Sequence, residues 1–431
     1  MLCVRLLYVV LDGAADGFDV GRSSLALSRK PFIDSLAGSG VCGLVYTVGR
    51  GVAPESDVAV LSLLGYDPSR YYTGRGPLEA LGAGIDFVDG WLAVRANFAT
   101  VKPGSKRIID RRAGRSLTSA EARELAEALD GMKLDNGDAV ARFKATIGHR
   151  AVLVIRHSKM RLSAEITNTD PAYERIGLIS HARQKYEPYI QTAKPLRDTP
   201  EARKAAELVN EFTEKAIRIL DKHPVNEQRR RKGLLPANAV LLRDAGDRPP
   251  QTEPFQEKYG FTMASIVEMI VERGIARALQ LHDIQVKVEG RTKKEILIEE
   301  AEKAAKALEK YAGIYVHLKG PDEPGHDGDL QGKIKAIEEI DKYFFGTILD
   351  HIDRNNTVII ITSDHATPWY MKSHSSDPVP LLVSHPSFKG PGKFHEQACR
   401  ENLELGILEG GYKILPTVIQ LVREKLGSQI K

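Results

Sequence analysis

The chain has 431 residues, of which 42% are apolar and 27% charged, and its 61 basic residues nearly balance its 57 acidic ones. This composition is typical of a globular protein of two or three domains, and the charge balance argues against a nucleic-acid partner. Three widely spaced cysteines, Cys3, Cys42 and Cys399, match no metal-ligand spacing and favour a reduced protein. The apolar start of the chain is too short for a membrane span and lacks a signal-peptide cleavage region. We therefore expect a cytoplasmic protein with no membrane partner.

The first predicted strand is the apolar run Leu6–Leu11, which ends at Asp12 and a glycine. A helix is predicted to begin near Ser56, because a run of small apolar residues follows it. Ser56 is then either an ordinary N-cap or a serine whose oxygen is favoured as an anion by the helix amides. No Gly-x-Ser-x-Gly turn surrounds it, which argues against a serine-hydrolase site.

The middle of the chain predicts a second domain, inserted into the first between a glycine-rich and a proline-rich stretch. A long helix is indicated by Thr199 as N-cap, with a proline at the first helical position and apolar residues through Leu220. The basic run Arg229–Lys232 is expected to be a solvated loop rather than an anion site. The predicted strands are Trp91–Ala99, Ala151–Ile155 and Val240–Leu242.

The last part of the chain predicts further strands and helices of the first domain. Thr292 opens a capping box before a helical run that reaches Tyr311, and a second helical run covers Gln331 to Leu349. Because strands and helices alternate, we expect an α/β fold with helices on both faces of a parallel sheet. The strand candidates are Ile314–Leu318, Thr357–Thr362 and Pro380–Ser384.

Aspartates and histidines recur at the ends of these predicted strands. The carboxyl ends of parallel strands share one edge of a sheet, so distant residues can converge there. A single such residue is more often a turn or cap residue, but the same donors recur after three strands. Their mixture of oxygen and nitrogen suits Mn²⁺ or Zn²⁺, and their number suits a pair of metals of the kind that moves phosphoryl groups. The residues are Asp12, Asp322, His326, Asp364, His365 and His374.

Longer motifs occur in order over nearly the whole chain: "VVLDGAAD", "GVAPESDVAVLSLLGYDP", "YYTGRGPLEALGAG", "NFAT", "DRRAGR", "PDEPGHDGD" and "SDHATP". Together they resemble the archaeal-type, cofactor-independent phosphoglycerate mutases of the alkaline phosphatase superfamily. The resemblance implies an alkaline-phosphatase-like, mostly parallel sheet flanked by helices, with an inserted smaller α+β domain. The core is predicted in residues 1–88 and 251–431 and the substrate-binding insertion in residues 89–250.

The resemblance also implies interconversion of 3-phosphoglycerate and 2-phosphoglycerate in glycolysis and gluconeogenesis, without 2,3-bisphosphoglycerate. Ser56 matches the nucleophile that carries the phosphoryl group, and Lys258 in "FQEKYGFT" matches the active-site lysine. Two divalent cations are implied, with Mn²⁺ expected and Zn²⁺, Co²⁺ and Mg²⁺ as alternatives. One cation would be held by Asp12, Ser56, Asp364 and His365, and the other by Asp322, His326 and His374. The substrate-binding candidates are Asp110, Arg111, His149, Arg150 and Arg243.

Two alternatives remain at this stage: a metal-dependent phosphatase or other phosphotransferase of the same superfamily, and a non-catalytic metal- or nucleotide-binding protein. A homo-oligomer is compatible with the sequence. The chain departs from the family where relatives usually show a "GATG"-like turn and this one has "VEGRTKKE". It departs again at "LLRDAG", which carries Asp244 where relatives usually have glycine. The second departure places a carboxylate beside Arg243 and weakens the case for its role in substrate binding.

Overall fold

The computed structural model describes residues 2–18 and 21–431, and the chain divides into two compact units. The first unit combines Met1–Tyr72 with Thr252–Lys431, and the second is Thr73–Gln251. The predicted insertion, residues 89–250, lies within the second unit, and its role in substrate binding stays a prediction. No helix in the described part of the chain is both long and apolar enough to cross a membrane.

The secondary structure follows the chain in three segments. The first segment of unit one contains β1 (Leu2–Leu11), α1 (Ser24–Leu27), α2 (Pro31–Gly38), β2 (Gly40–Val45), α3 (Ser56–Leu63) and α4 (Pro68–Tyr71). Unit two contains α5 (Arg75–Gly82), β3 (Leu92–Val101), β4 (Ile108–Asp110), α6 (Ser119–Glu127), β5 (Met132–Leu134), β6 (Ala139–Ala145), β7 (Arg150–His157), β8 (Tyr173–Ile176), β9 (Ile179–Ala182), α7 (Pro200–Asp221), α8 (Pro224–Arg231) and β10 (Ala239–Gly246). The second segment of unit one contains α9 (Phe255–Tyr259), β11 (Met263–Ile266), α10 (Ile270–Ala278), β12 (His282–Asp283), α11 (Lys293–Lys310), β13 (Gly313–Leu318), α12 (Asp322–Asp327), α13 (Leu330–Glu339), α14 (Gly346–His351), β14 (Thr357–Thr362), β15 (Val379–Ser384), α15 (Glu396–Glu401), β16 (Ile407–Leu408), α16 (Ile414–Leu426) and β17 (Ser428–Ile430). A π-helical turn, Ile340–Phe345, joins α13 to α14.

The sheet of the first unit has the strand order β12-β11-β13-β1-β14-β15-β2-β16, and β17 pairs with β1. Its centre is parallel, since Tyr8 of β1 lies opposite Tyr315 of β13 on one side and Ile360 of β14 on the other. Every residue of β13 and β14 is buried, as expected for strands covered on both faces. The predicted fold class, a mostly parallel α/β sheet accompanied by a smaller α+β part, is confirmed.

The strand predicted at Pro380–Ser384 exists but runs in the opposite direction. It belongs to β15, which pairs antiparallel with β14, so that Ile360 lies opposite Val383. The described residues between β14 and β15 contain no helix, whereas a parallel neighbour normally requires a helical crossover. As a result β15 begins at the edge where β1, β13 and β14 end. This brings the residues before β15 to that edge.

The second unit is built on an antiparallel sheet with the order β10-β3-β7-β6-β5. The predicted long helix is α7. Its N-cap Thr199 accepts a hydrogen bond from the Ala202 amide, and Pro200 stands at its start. The apolar face of α7, including Leu208, Val209 and Phe212, belongs to the core of this unit. The apolar periodicity of the helix therefore marked the face that the tertiary structure buries.

The basic run Arg229–Lys232 is not the solvated loop expected from the sequence. Most of it lies in α8, and the Arg229 side chain is 1% exposed. Its guanidinium donates to the Leu235 carbonyl at 2.9 Å and pairs with Glu121 Oε2 at 2.9 Å. The charge pattern alone did not reveal which arginine of the run faces the protein. Burial of the charged Arg229 guanidinium is tolerated because its N–H groups are hydrogen-bonded to these acceptors.

Candidate metal centre

The sheet topology brings the predicted metal ligands of the first unit to one edge. Asp12 follows β1, and Asp364 and His365 follow β14 at the same end. Asp322 and His326 lie one turn apart on the short helix α12, in keeping with the loop or first helical turn expected from the sequence. His374 precedes the antiparallel β15 and therefore reaches the same edge from the opposite chain direction.

The first group of ligands surrounds the imidazole of His365. Its Nε2 lies 3.2 Å from Ser56 Oγ, 3.1 Å from Asp364 Oδ2 and 3.6 Å from Asp12 Oδ1. Asp12 Oδ1 and Asp364 Oδ2 are buried and have no hydrogen-bond donor. Buried anionic oxygens without a donor are costly unless a cation neutralises them. These four residues therefore fit a divalent cation.

The second group consists of Asp322, His326 and His374. His326 Nε2 and His374 Nε2 are 3.1 Å apart, and they lie 3.5 and 3.6 Å from Asp322 Oδ1. The Nδ1 atoms of the two rings face the carbonyl oxygens of Lys372 and Pro54, at 3.2 and 2.7 Å. Each Nδ1–H thus donates to the backbone, which directs both Nε2 lone pairs at one point. Two such nitrogens approach this closely only around a proton or a cation, so this set also fits a metal.

The electrostatics of His374 are consistent with that interpretation. Burial lowers the pKa of His374, but the nearby carboxylate of Asp322 outweighs it and raises the pKa to about 9. A proton therefore occupies the place of a cation in the metal-free chain at neutral pH. Because a ligating histidine must be neutral, binding a cation here requires that proton to leave.

Thr367 and Gly13 connect the two groups, and neither was identified from the sequence. Thr367 Oγ1 donates to Asp322 Oδ1 at 2.7 Å and accepts from His365 Nδ1 at 2.9 Å. Gly13 has φ +60°, and a Cβ atom on it would lie 2.6 Å from Asp322 Oδ1. The turn after β1 thus needs glycine for both its backbone conformation and the room for Asp322. The motifs "LDG" and "DHAT" contained both residues without indicating these contacts.

Ser56 is the first residue of α3 and Glu55 is the N-cap. The alternative of Ser56 as an ordinary capping residue is therefore wrong, since its Oγ contacts His365 rather than a backbone amide of the helix. Its neighbour Asp57 is buried and accepts a hydrogen bond from Tyr72 Oη at 2.6 Å. This helix start holds the serine at the ligand cluster, at the N-terminal end of α3.

Lys258 lies on α9, in the first unit. Its Nζ donates to the Gly65 carbonyl at 2.7 Å and lies 3.9 Å from the centroid of the Tyr66 ring. Burial lowers the pKa of Lys258 below its usual value. Its contacts among the described residues are with this turn rather than with the predicted metal ligands. Its part in the chemistry stays a prediction.

Three further charged or titratable groups lie against the first ligand group and were missed in the sequence: Glu272, His317 and Lys319. Lys319 Nζ lies 3.1 Å from Asp12 Oδ2 and 2.5 Å from Glu272 Oε1. Burial alone would raise the pKa of Asp12, but Lys319 and His317 hold it well below its usual range. The sequence signal was the pair of basic residues at the end of an otherwise apolar strand, "IYVHLKG".

The substrate-binding candidates of the second unit separate into two kinds. Arg111 donates from Nε and Nη2 to the two carboxylate oxygens of Asp170, at 3.0 and 2.5 Å, and Arg243 shares Asp170 Oδ2 at 3.1 Å. Asp110 Oδ1 accepts from two amides of its own turn, those of Arg112 and Gly114. These contacts give Arg111, Arg243 and Asp110 structural partners within the unit.

His149 and Arg150 belong to a concentration of positive charge that also includes Arg243. Burial, followed by Arg150 and further arginines, lowers the pKa of His149 to about 4. Burial and the neighbouring Arg75 also lower the pKa of Arg150. Mutual repulsion of this kind is offset when an anion binds, which makes the cluster a candidate anion site. Its members are Arg75, Arg95, Arg112, His149, Arg150 and Arg243.

The residue Asp244 has φ +58°, in the left-handed region that favours glycine. This explains why glycine suits this position of the motif. The Asp244 carboxylate lies 3.5 Å from Arg243 Nε and 3.7 Å from Arg95 Nη1. The departure from the family pattern therefore adds a negative charge to the basic cluster, at the cost of some backbone strain.

Comparisons with known proteins agree with the resemblance found in the motifs. A family model described as 2,3-bisphosphoglycerate-independent phosphoglycerate mutase matches residues 37–226. A protein of that name from Aeropyrum pernix is 56% identical over 97% of this chain and all of its own length. Another, from Archaeoglobus fulgidus, is 39% identical over 88% of each chain.

Solved structures extend the similarity to the fold. The cofactor-independent phosphoglycerate mutase of Thermoplasma acidophilum is 31% identical and superposes with a TM-score of 0.64 over 97% of this chain and 99% of its own. A Pyrococcus horikoshii protein gives a TM-score of 0.78 at 29% identity over 98% of both chains. The family resemblance is thus confirmed in sequence over nearly the full length, and the chain belongs to the 2,3-bisphosphoglycerate-independent phosphoglycerate mutases, a family of isomerases.

Proposed function

We propose that this protein interconverts 3-phosphoglycerate and 2-phosphoglycerate through a phosphoserine at Ser56, in a centre with two divalent cations. The observation that carries the proposal is the position of Ser56 Oγ, 3.2 Å from His365 Nε2, which itself lies 3.1 and 3.6 Å from the unpartnered oxygens of Asp364 and Asp12. The same reaction gives the enzyme its place in glycolysis and gluconeogenesis, without 2,3-bisphosphoglycerate.

The residues present suit two cation sites joined by Thr367. Asp12, Ser56, Asp364 and His365 would hold one cation, and Asp322, His326 and His374 the other. Bound there, the cations would lower the pKa of the Ser56 hydroxyl and offset the charge on the transferring phosphoryl group. The mixture of carboxylate oxygens and imidazole nitrogens favours Mn²⁺, with Zn²⁺, Co²⁺ or Mg²⁺ as alternatives.

The reaction balances without another reactant. The Ser56 oxygen attacks phosphorus, the bond from phosphorus to the substrate oxygen breaks, and that oxygen takes up a proton in place of the one lost by Ser56. Because Ser56 is the first residue of α3, the positive end of the helix dipole would favour an anionic oxygen there. The glycerate then presents its other hydroxyl, and the steps reverse. Water must be kept away from the phosphoserine, because its attack would release phosphate and make the protein a phosphatase.

We further propose that the basic cluster of the second unit binds the anionic groups of phosphoglycerate. The lowered pKa values of His149 and Arg150 support this, because they reflect positive charge gathered in a desolvated place. Arg150 is proposed as a direct contact because it lies among the other arginines of this cluster. Arg111 and Arg243 are held by Asp170, and their contribution would be to position the cluster.

The experiment is to incubate the protein with 3-phosphoglycerate and Mn²⁺, without 2,3-bisphosphoglycerate, and to identify the products. A mutase yields 2-phosphoglycerate, and mass spectrometry of the acid-quenched protein finds phosphate on Ser56. Ser56→Ala should abolish both, whereas Ser69→Ala, a change on the helix α4, should leave both unchanged. Glycerate and inorganic phosphate without 2-phosphoglycerate would show a phosphatase. Absence of any product in the presence of Mn²⁺ would favour a non-catalytic binding protein.

A further inference from the structure

His317 occupies an unusual place for a histidine. It lies in β13, where every residue is buried, and its side chain is 0% exposed. Its Nε2 has no hydrogen-bond partner and lies 3.5 Å from Asp364 Oδ2 and 3.7 Å from Asp12 Oδ1. These are the same two carboxylate oxygens that lack donors. Three unpartnered ligand atoms thus converge on one point, within 4.8 Å of one another.

The spacing of these atoms matches coordination better than hydrogen bonding. Ligand atoms about 2.1 Å from a five-coordinate metal ion stand about 3.0–3.6 Å from their neighbours. The distances of 3.5 and 3.7 Å from His317 Nε2 are close to that range and are too long for good hydrogen bonds. His365 Nε2 lies at similar distances, 3.1 and 3.6 Å, from the same two oxygens.

The second ring nitrogen of His317 faces a carboxylate. His317 Nδ1 lies 3.5 Å from Glu272 Oε1 on α10 and 3.5 Å from Tyr315 Oη, which are weak contacts at this distance. A metal-bound histidine typically directs its second ring nitrogen at a carboxylate, which fixes the tautomer and the ring orientation. Glu272 is itself held by Lys319 at 2.5 Å, and Lys319 also contacts Asp12 Oδ2. This leaves Asp12 Oδ1 facing the point of convergence.

The local charge also suits a divalent cation. Asp12, Asp364 and Glu272 carry three negative charges and Lys319 one positive charge, so with His317 neutral, as a metal ligand must be, two negative charges are left to be balanced. Glu300 does not alter this count at neutral pH, because burial raises its pKa to about 8. We infer that His317 is a further ligand of the cation held by Asp12 and Asp364, with Glu272 and Lys319 orienting the two ligands. This rests on the two-cation centre proposed above and adds a residue that the family motifs do not supply.

The competing interpretation is a buried imidazolium that bridges the two aspartates and never binds metal. Burial and Lys319 lower the pKa of His317, but Glu272 and Asp364 outweigh them and raise it. An imidazolium would compete with the cation rather than hold it. Under that interpretation, His317→Gln should leave the affinity for Mn²⁺ unchanged or increase it, whereas a ligand role predicts weaker binding.

The test is calorimetric titration of the metal-free full chain with Mn²⁺. We expect His317→Gln to weaken one of two binding events by at least about tenfold, Glu272→Gln to weaken the same event less, and the second event to be unchanged. His282→Gln, an exposed histidine stacked on Tyr311, is the matched control. An unchanged Mn²⁺ affinity in His317→Gln would overturn the inference. Circular dichroism of each variant checks that it is folded.

A second measurement decides the matter if His317→Gln does not fold. In the variant His374→Gln, where the other site is disabled, pulsed electron paramagnetic resonance counts the imidazole nitrogens on the remaining Mn²⁺. Two nitrogens, from His365 and His317, support the inference, and one contradicts it. The variant Asp364→Asn distinguishes failure of the His317 assignment from failure of the two-cation centre. If it too leaves both binding events intact, the two-cation centre fails, and not only the role of His317.

Discussion

The buried ammonium of Lys333 is expected to hold two of the ligand-bearing loops in place. Lys333 and Asp16 are both 0% exposed. Lys333 Nζ donates to Asp16 Oδ1 at 2.6 Å, to the Thr367 carbonyl at 2.7 Å and to the Ala15 carbonyl at 3.1 Å. One ammonium therefore ties the loop after β1 to the loop after β14. Replacing it with methionine keeps most of the length of the side chain but removes all three donated hydrogen bonds.

The magnitude follows from what the substitution leaves behind. Asp16 would keep the amides of Ser24 and Trp369 as donors but would lose its counter-ion in a fully buried place. Breaking a buried pair by removing one partner costs about 3–5 kcal/mol. In a unit of this size that corresponds to a fall in Tm of ~6–20 °C. Replacing both partners should cost less, so the variant Lys333→Met with Asp16→Asn should recover part of the loss.

The assay is urea unfolding of the metal-free protein followed by tryptophan fluorescence. The chain has two tryptophans, and Trp369 lies in the first unit beside Asp16, so a Trp91→Phe background isolates its signal. Lys335→Met is the matched control, because the Lys335 side chain is 75% exposed and should change the free energy of unfolding by less than about 0.5 kcal/mol. A loss below about 1 kcal/mol in Lys333→Met, or no recovery in the double variant, would refute the reasoning.

Three other outcomes follow from the site. Gly13→Ala should weaken cation binding at the Asp322 group by at least about tenfold in calorimetry, because the added Cβ atom would clash with Asp322. Gly427→Ala is the control for backbone strain alone, because Gly427 also has a positive φ, +57°, but has open space around it. Below pH about 9, cation binding should release a proton from His374, so the affinity for the cation should rise with pH up to that value. Calorimetric titrations in buffers of different ionisation enthalpy measure the proton release, and a binding enthalpy that does not depend on the buffer would contradict this prediction. Burial raises the pKa of Glu300 to about 8, so between pH about 4.5 and 8 the folded chain binds a proton that the unfolded chain does not, and the stability should fall as pH rises through this range. Glu300→Gln should remove this contribution to the pH dependence of Tm. Equal slopes of Tm against pH in the variant and the unmodified protein would contradict the prediction.

Several features of this protein were determined by local sequence alone. The capping box at Thr292 begins α11, and Thr199 with Pro200 begins α7, because these signals act through neighbouring backbone groups. Short β-branched runs identified β1, β13 and β14, since strands buried on both faces must be apolar throughout. The strand-end aspartates and histidines pointed to one edge of the sheet, because strand direction and sheet topology constrain where the ends lie.

Other features depend on contacts between residues distant in the chain. The direction of β15 follows from a helix-free connection, and it alone brings His374 to the ligand edge. The contact between His317 in β13 and Glu272 exists only because α10 lies beside the sheet. The contact between Thr367 and Asp322 exists only because the segments after β14 and β13 lie side by side. Local secondary-structure propensity carries no information about such contacts between elements. The sequence thus determined the elements and most of the candidate ligands, whereas only the tertiary structure decided which of their atoms converge, because convergence depends on packing between elements and not on the pattern within any one of them.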